Sequence, residues 1–152
     1  KTIKNFNGLN YRQQIILNKK FLTIINDSKS TSFASSISLL KNNYNIYWLL
    51  GGIYKKGDSL NLSKKYFKNI KAFVYGKNKN FFNKKLNGKI KYKNFKNLKD
   101  ALKEIFKIIK KEKLIKKTIL FSPCAASFDS FKNFEDRGLY FNKLIKKYLN
   151  GI

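Results

Sequence analysis

Short apolar runs alternate along the chain with longer stretches whose apolar positions recur every three or four residues. Residues 13–17 and 21–25 read as two strands joined by a turn at Asn18-Lys19, followed by a polar, turn-like segment at 26–30. Phe33, Ala34, Ile37 and Leu40 then fall at helical spacing, with Ser30 or Thr31 as the expected N-cap. Residues 46–50 are apolar without a break and run into Gly51-Gly52, the pattern of a strand covered on both faces. A weaker helical segment follows at 60–69, a strand at 72–75, a short helix at 78–86 and an alternating outer strand at 89–93. Leu98, Ala101, Leu102, Ile105, Phe106 and Ile109 mark a long amphipathic helix. The last strand is expected at 118–121 and the last helix over 130–149, with Phe134, Phe141, Leu144, Ile145 and Tyr148 as its buried stripe. This alternation predicts an α/β fold: a Rossmann-like three-layer sandwich with a mostly parallel sheet and an antiparallel strand near the N-terminus. Residues 1–10 read as a tether from a preceding domain and 11–152 as a single domain.

Composition narrows the function classes. A chain of 152 residues, 43% of them hydrophobic, is long enough for a real core. No apolar run approaches the roughly 20 residues that span a bilayer, and residues 1–10 lack the apolar stretch of a signal peptide. The absence of Met suggests a piece of a longer chain, or a processed one. The formal charge of +26 raises a rival reading, a basic nucleic-acid-binding module. However, the 34 basic residues include only Arg12 and Arg137 as arginines, and paired recognition of phosphates and base edges favours Arg. Lys, Asn, Ile, Phe and Tyr are abundant together, a mixture that resembles the drift of an A+T-rich coding sequence. A single cysteine, Cys124, excludes an internal disulfide and suits a reducing cytoplasm. The lack of histidine excludes Ser-His-Asp and Cys-His catalysis within the chain and any His-based metal site.

Three polar loops follow expected strands: Asn26 to Thr31, Gly51 to Asp58, and Ser122 to Ser130. In a doubly wound sheet such loops converge at one edge. Lysines, hydroxyls and a helix start on one rim suit a carboxylate. The same letters also serve as ordinary turn chemistry, so the residues alone leave both readings open. No G-x-G-x-x-G and no G-x-x-x-x-G-K-[ST] occurs, so the chain has no phosphate loop of its own.

The three loops also match known motifs. Asn26-Asp27-Ser28-Lys29-Ser30-Thr31 resembles N-D-S-K-A-T, and Gly51-Gly52-Ile53-Tyr54-Lys55 with Asp58 resembles G-G-x-x-K-x-x-D. Phe6 to Gln14, with Gly8-Leu9 and Arg12, resembles a G-L-x-H-R segment, and Ser122 to Gly138 resembles a C-terminal signature. In their order along the chain, and over nearly all of it, they resemble the C-terminal domain of the D-glutamate-adding ligases of the Mur ligase family. Sibling ligases carry D-Y-A-H or Y-N-A-N types at the first motif. The chain departs from the pattern with Tyr11 for the usual His, Gln14 for a frequent Glu and Ser32 for a frequent Asn.

The resemblance implies a cytoplasmic, ADP-forming ligase of peptidoglycan synthesis, which joins the alanyl carboxylate of UDP-N-acetylmuramoyl-L-alanine to the amine of D-glutamate through an acyl phosphate. ATP and Mg²⁺ would be held by a central domain and the UDP sugar by an N-terminal domain, both partners of this one. No membrane, specific nucleic acid or metal ligand in this chain is implied. Thr31, Lys55, Ser127 and Phe134 would contact D-glutamate, with the backbone at Phe128. Arg12 and Asp27 would face the nucleotide. Lys29 would be the catalytic residue, steadying negative charge between the two substrates. Arg137 would be structural, paired with Glu135 or Asp136. The chain alone would be folded but inactive. An amide ligase of folylpolyglutamate type, acting on another acidic substrate, is the neighbouring alternative.

Overall fold

A computed structural model describes residues 10–150. The tether expected over 1–10 lies outside the described residues except for Asn10. The strands are β1 (Gln14–Asn18), β2 (Leu22–Asn26), β3 (Ile46–Leu50), β4 (Ile70–Tyr75), β5 (Lys91–Phe95) and β6 (Lys117–Phe121), and the helices are α1 (Ile37–Asn42), α2 (Lys79–Leu86), α3 (Leu98–Ile109) and α4 (Phe134–Asn150). They form one six-stranded sheet in the order β1-β2-β6-β3-β4-β5. β1 pairs antiparallel with β2, with a bulge between Ile15 and Leu17; the other pairs are parallel.

The apolar run of β3 explains its central place. Ile46, Trp48 and Leu50 face a layer containing Leu39 and Leu40 of α1 and Phe82 and Leu86 of α2. Tyr47 and Leu49 face α3 and α4 through Leu102, Phe106 and Phe141. Every residue of β3 and β6 is buried, as expected of parallel strands covered on both sides. Two apolar clusters thus lie on opposite faces of the sheet, giving the three-layer α/β sandwich that the alternation predicts. Ring packing stiffens the second layer: Phe121 stacks on Phe141 at 4.5 Å and Phe106 on Tyr148 at 4.7 Å.

The topology creates the site. From β2 the chain passes over the place of β6 to reach β3, then moves outward to β4 and β5 and returns through α3 to insert β6 between β2 and β3. The carboxyl ends of β2, β6 and β3 therefore stand side by side at a switch in strand order, where open α/β sheets hold ligands.

Four elements differ from the sequence pattern. The segment 60–69 is helical only as a 3-10 turn at Lys64–Asn69, because Leu60 and Leu62 are used as buried anchors in the first cluster. β5 lies two residues later than expected, since its exposed edge pattern gives alternation little to fix register. The last helix begins at Phe134, after Asn133 accepts a hydrogen bond from the Asp136 N–H at 2.8 Å. The first helix is a 3-10 turn at Ala34–Ser36 followed by α1, and neither Ser30 nor Thr31 caps it with its side chain.

Candidate functional site

Backbone hydrogen bonds lace the three loops together. The Asp27 N–H donates to the Phe121 carbonyl at 2.7 Å and the Ala125 N–H to the Ser30 carbonyl at 3.3 Å. Gly51 donates to Pro123 at 3.1 Å, and Ile53 and Ala126 exchange two bonds at 3.0 and 2.9 Å. Asp58 closes the set: its Oδ2 accepts from the Phe33 N–H at 2.9 Å. The cap of the first helical turn thus comes from the loop after β3, a long-range substitute for the local cap expected at 30 or 31. Thr31, Lys55 and Ser127 stand one or two residues from these ties, so the loops that carry them share one rim.

Two glycines make the close approach possible. A Cβ on Gly51 would lie 2.2 Å from the Tyr75 carbonyl oxygen, and one on Gly52 would lie 2.6 Å from that of Ala126, at φ of +154° and +130°. Only glycine fits such backbone.

The first loop divides its residues between bracing and presentation. Asn26, Asp27, Ser28 and Ser30 are buried, whereas Lys29 and Thr31 are exposed. Asn26 Nδ2 donates to the Gly138 carbonyl and to Asn142 Oδ1 on α4. Ser28 Oγ donates to the Phe134 carbonyl at 2.7 Å. Asp27 accepts from the Gln13 N–H at 3.1 Å and from Ser122 Oγ at 2.7 Å. Ser122 also meets Ser36 Oγ, which meets Ser30 Oγ at 2.9 Å and Cys124 Sγ at 3.0 Å. A buried chain of hydroxyls therefore runs beneath the rim. Burial pushes the Asp27 carboxyl above its ordinary range despite these donors, and it pushes the Cys124 thiol up to about 12. The thiol is thus held as an inert, neutral filler.

Arg137 is buried and holds two loops at once. Its guanidinium donates to Ser28 Oγ at 3.1 Å, to the Ser28 carbonyl, and to the Ala125 carbonyl at 2.9 Å. Its structural place agrees with the sequence reading, but its partners do not: Glu135 and Asp136 are exposed, and Ser28 and Ala125 take their place.

The remaining candidates sit as follows. Lys29 Nζ lies 4.3 Å from the centroid of the half-buried Phe134 ring. Lys55 is exposed, next to Tyr54, whose ring stacks on Phe81 at 4.1 Å. Ser127 is buried, and its carbonyl accepts from the Ser130 and Phe131 N–H groups, which turns the third loop. Phe128 is 72% exposed. Arg12 is exposed on the segment before β1, and its charge lowers the Asp27 pKa against the burial effect. Asp27 itself is 3% exposed with both oxygens engaged, so in this arrangement it braces the rim, and direct contact with a nucleotide would require those bonds to exchange.

Three residues of the site have no role assigned by the sequence reading, although Asp129 and Gly138 fall within its last motif. Tyr75, at the end of β4, buries a hydroxyl without a partner among the described residues, and burial raises its pKa. Gly138 seats the Tyr11 ring, where a Cβ would lie 2.3 Å from it. Asp129 is raised above its usual pKa by burial, against the lowering effect of the Arg137 charge. A Gly inside a helical pattern and a Tyr ending a strand are ordinary in sequence; only the packing gives them a task.

No family model matches the chain. Curated relatives do. The chain is 37% identical over 145 residues to the UDP-N-acetylmuramoylalanine–D-glutamate ligase of Wolbachia sp. subsp. Brugia malayi, covering 95% of this chain and 29% of that protein. It is 38% identical over 144 residues to that of Rickettsia bellii, covering 94% and 32%. It is 35% identical over 151 residues to that of Hydrogenobaculum sp., covering 99% and 36%. The chain thus spans about a third of the length of the curated relatives it matches. Nearly all of its residues fall within the matched region. Over nearly its whole length the chain is thus similar to about a third of the length of the UDP-N-acetylmuramoylalanine–D-glutamate ligases, consistent with their C-terminal domain alone.

Proposed function

We propose that the chain is the domain that brings D-glutamate to the alanyl carboxylate of UDP-N-acetylmuramoyl-L-alanine and closes over ATP in the full-length cytoplasmic ligase. The observation that carries this reading is the shared rim, where adjacent strand ends β2, β6 and β3 offer Thr31, Ser127 and Lys55 from interlocked loops. A dicarboxylate calls for charge-assisted donors, and the Lys55 ammonium with the Thr31 and Ser127 hydroxyls supplies them. The backbone at Phe128 adds a polar contact, and the Phe134 ring walls one side. Lys29, exposed at the head of the same loop, steadies negative charge as the amine attacks. Arg12 offers a planar fork to nucleotide phosphate oxygens, with Asp27 holding its segment in place through the Gln13 N–H.

Among the described residues no group of three His, Cys, Asp or Glu side chains is placed to hold a metal ion, and the sequence has no phosphate loop. The residues present do not form a site for Mg²⁺ and the triphosphate by themselves, so the other domains of the full-length enzyme would hold them, and ATP would supply the activation of the carboxylate there. No helix among the described residues is long and apolar enough to cross a membrane.

A direct test compares D- with L-glutamate as substrate of the full-length protein, reading ADP release in the presence of UDP-N-acetylmuramoyl-L-alanine. Turnover restricted to D-glutamate supports the reading. Equal use of L-glutamate points to a folylpolyglutamate-type ligase instead. The isolated 152-residue chain is expected to show no turnover.

A further inference from the structure

The edge of the sheet opposite the rim has its own character. All parallel strands begin there, and so do the β1–β2 turn with Lys19 and Lys20 and the strap between α3 and β6. The strap carries Leu114 and Ile115, 79% and 50% exposed, between Lys113 and Lys116. It is pinned to the start of β3: Asn45 Nδ2 donates to the Lys116 carbonyl at 2.7 Å, and Lys116 Nζ lies 5.1 Å from the ring of Tyr44, itself 63% exposed. Beside it, an open groove of about 600 Å³ has Phe73, Ile90 and Ile108 as apolar lining and Lys71, Lys89 and Lys91 among its rim residues.

Carboxylates are unevenly divided between the two edges. Asp27, Asp58, Asp129, Glu135 and Asp136 lie on or next to the functional loops. The basic edge has Glu112, and that carboxylate already accepts from the Tyr47 hydroxyl at 2.6 Å. Compositional drift adds lysine everywhere; it does not explain why two neighbouring aliphatic side chains, Leu114 and Ile115, stand bare among lysines.

We propose that this edge docks peripherally on an anionic lipid surface, with Leu114 and Ile115 entering the headgroup layer and the surrounding lysines meeting acidic headgroups. Exposed aliphatics ringed by lysine are the chemistry of interfacial anchors. A nucleic acid fits less well. Arg137 is buried and Arg12 lies toward the rim, so no guanidinium stands on this edge among the described residues, and Leu114 and Ile115, its most prominent apolar pair, offer no face for base stacking. Docked this way, the rim faces away from the lipid and stays open to its substrates. The inference is independent of the reaction proposed above.

The test is co-sedimentation of the 152-residue chain with vesicles of phosphatidylcholine alone or with about one-third phosphatidylglycerol, at roughly 0.1 and 0.5 M salt. The chain is expected to pellet with the anionic vesicles only, and at least about tenfold less at the higher salt. The double substitution Leu114→Ser/Ile115→Ser, on an exposed strap, should weaken binding about tenfold or more, while Leu139→Ser, 44% exposed on α4, should leave it within about twofold. Equal binding to neutral vesicles, no binding to anionic ones, or an unaffected double variant would overturn the proposal. So would complete displacement from the vesicles by an oligonucleotide at equal charge concentration.

Discussion

The ammonium of Lys29 rests 4.3 Å from the centroid of the Phe134 ring, so the exposed lysine of the first loop and the first residue of α4 meet at the rim. A cation held over an aromatic face gains about 0.5–1 kcal/mol at an exposed site. Phe134 thereby fixes where the Lys29 charge sits, besides any contact of its own with substrate. A double-mutant cycle of Lys29→Met and Phe134→Leu, read by urea unfolding of the chain, should give a coupling of about 0.5–1 kcal/mol. Strictly additive effects would show that the two side chains do not act together.

Asp58 should behave as a helix cap donated across loops. Asp58→Ala leaves the Phe33 N–H without its acceptor and should cost about 1 kcal/mol of stability by urea unfolding. In the full-length ligase it should also weaken apparent affinity for D-glutamate, because the same bond ties the Lys55 loop to the Thr31 loop.

The paired glycines allow a sharper comparison. Gly51→Ala and Gly52→Ala drive a methyl into backbone carbonyls that cannot swing away, so each should cost at least about 2 kcal/mol. Gly57 also has positive φ, +80°, but a Cβ there meets nothing within 4 Å; Gly57→Ala should cost only about 1 kcal/mol, the conformational strain alone. Urea unfolding of the three variants side by side checks the order.

Asp129 predicts a pH dependence of known sign. Its carboxyl is raised above the ordinary 3.8 chiefly by burial, so the folded state binds more protons than the unfolded state just above that value. The protonated form favours folding, and that advantage is lost as pH rises through the raised pKa. Asp129→Asn removes the titration. Its melting temperature minus that of the parent chain should therefore increase between about pH 4 and pH 7. A difference that is flat or falls with pH would contradict the assignment.

Much of the fold could be read from the pattern, because burial on both faces leaves an unbroken apolar run at 46–50, while burial on one helical face leaves the spacing of Leu98 to Ile109. Elements whose form depends on distant partners were harder to read. Leu60 and Leu62 look like part of a helix until the first cluster claims them as extended anchors. The cap of the first helical turn comes from Asp58, remote in sequence. The candidate residues stood out through their letters, since Lys29, Thr31, Lys55 and Ser127 fall in recognisable motifs. The division of labour inside those motifs was not. Asn26, Asp27 and Ser28 read as turn residues or ligands, and only the packed structure assigns them to hydrogen bonds with α4, Gln13 and Ser122.

The D-glutamate KM of the full-length ligase carrying Lys55→Ala bears most directly on whether the shared rim grips a small diacid. Loss of one charged hydrogen bond, about 1.5–3 kcal/mol, should raise that KM about tenfold to a few hundredfold and leave kcat within about threefold. A KM for D-glutamate equal to that of the parent enzyme would contradict the site.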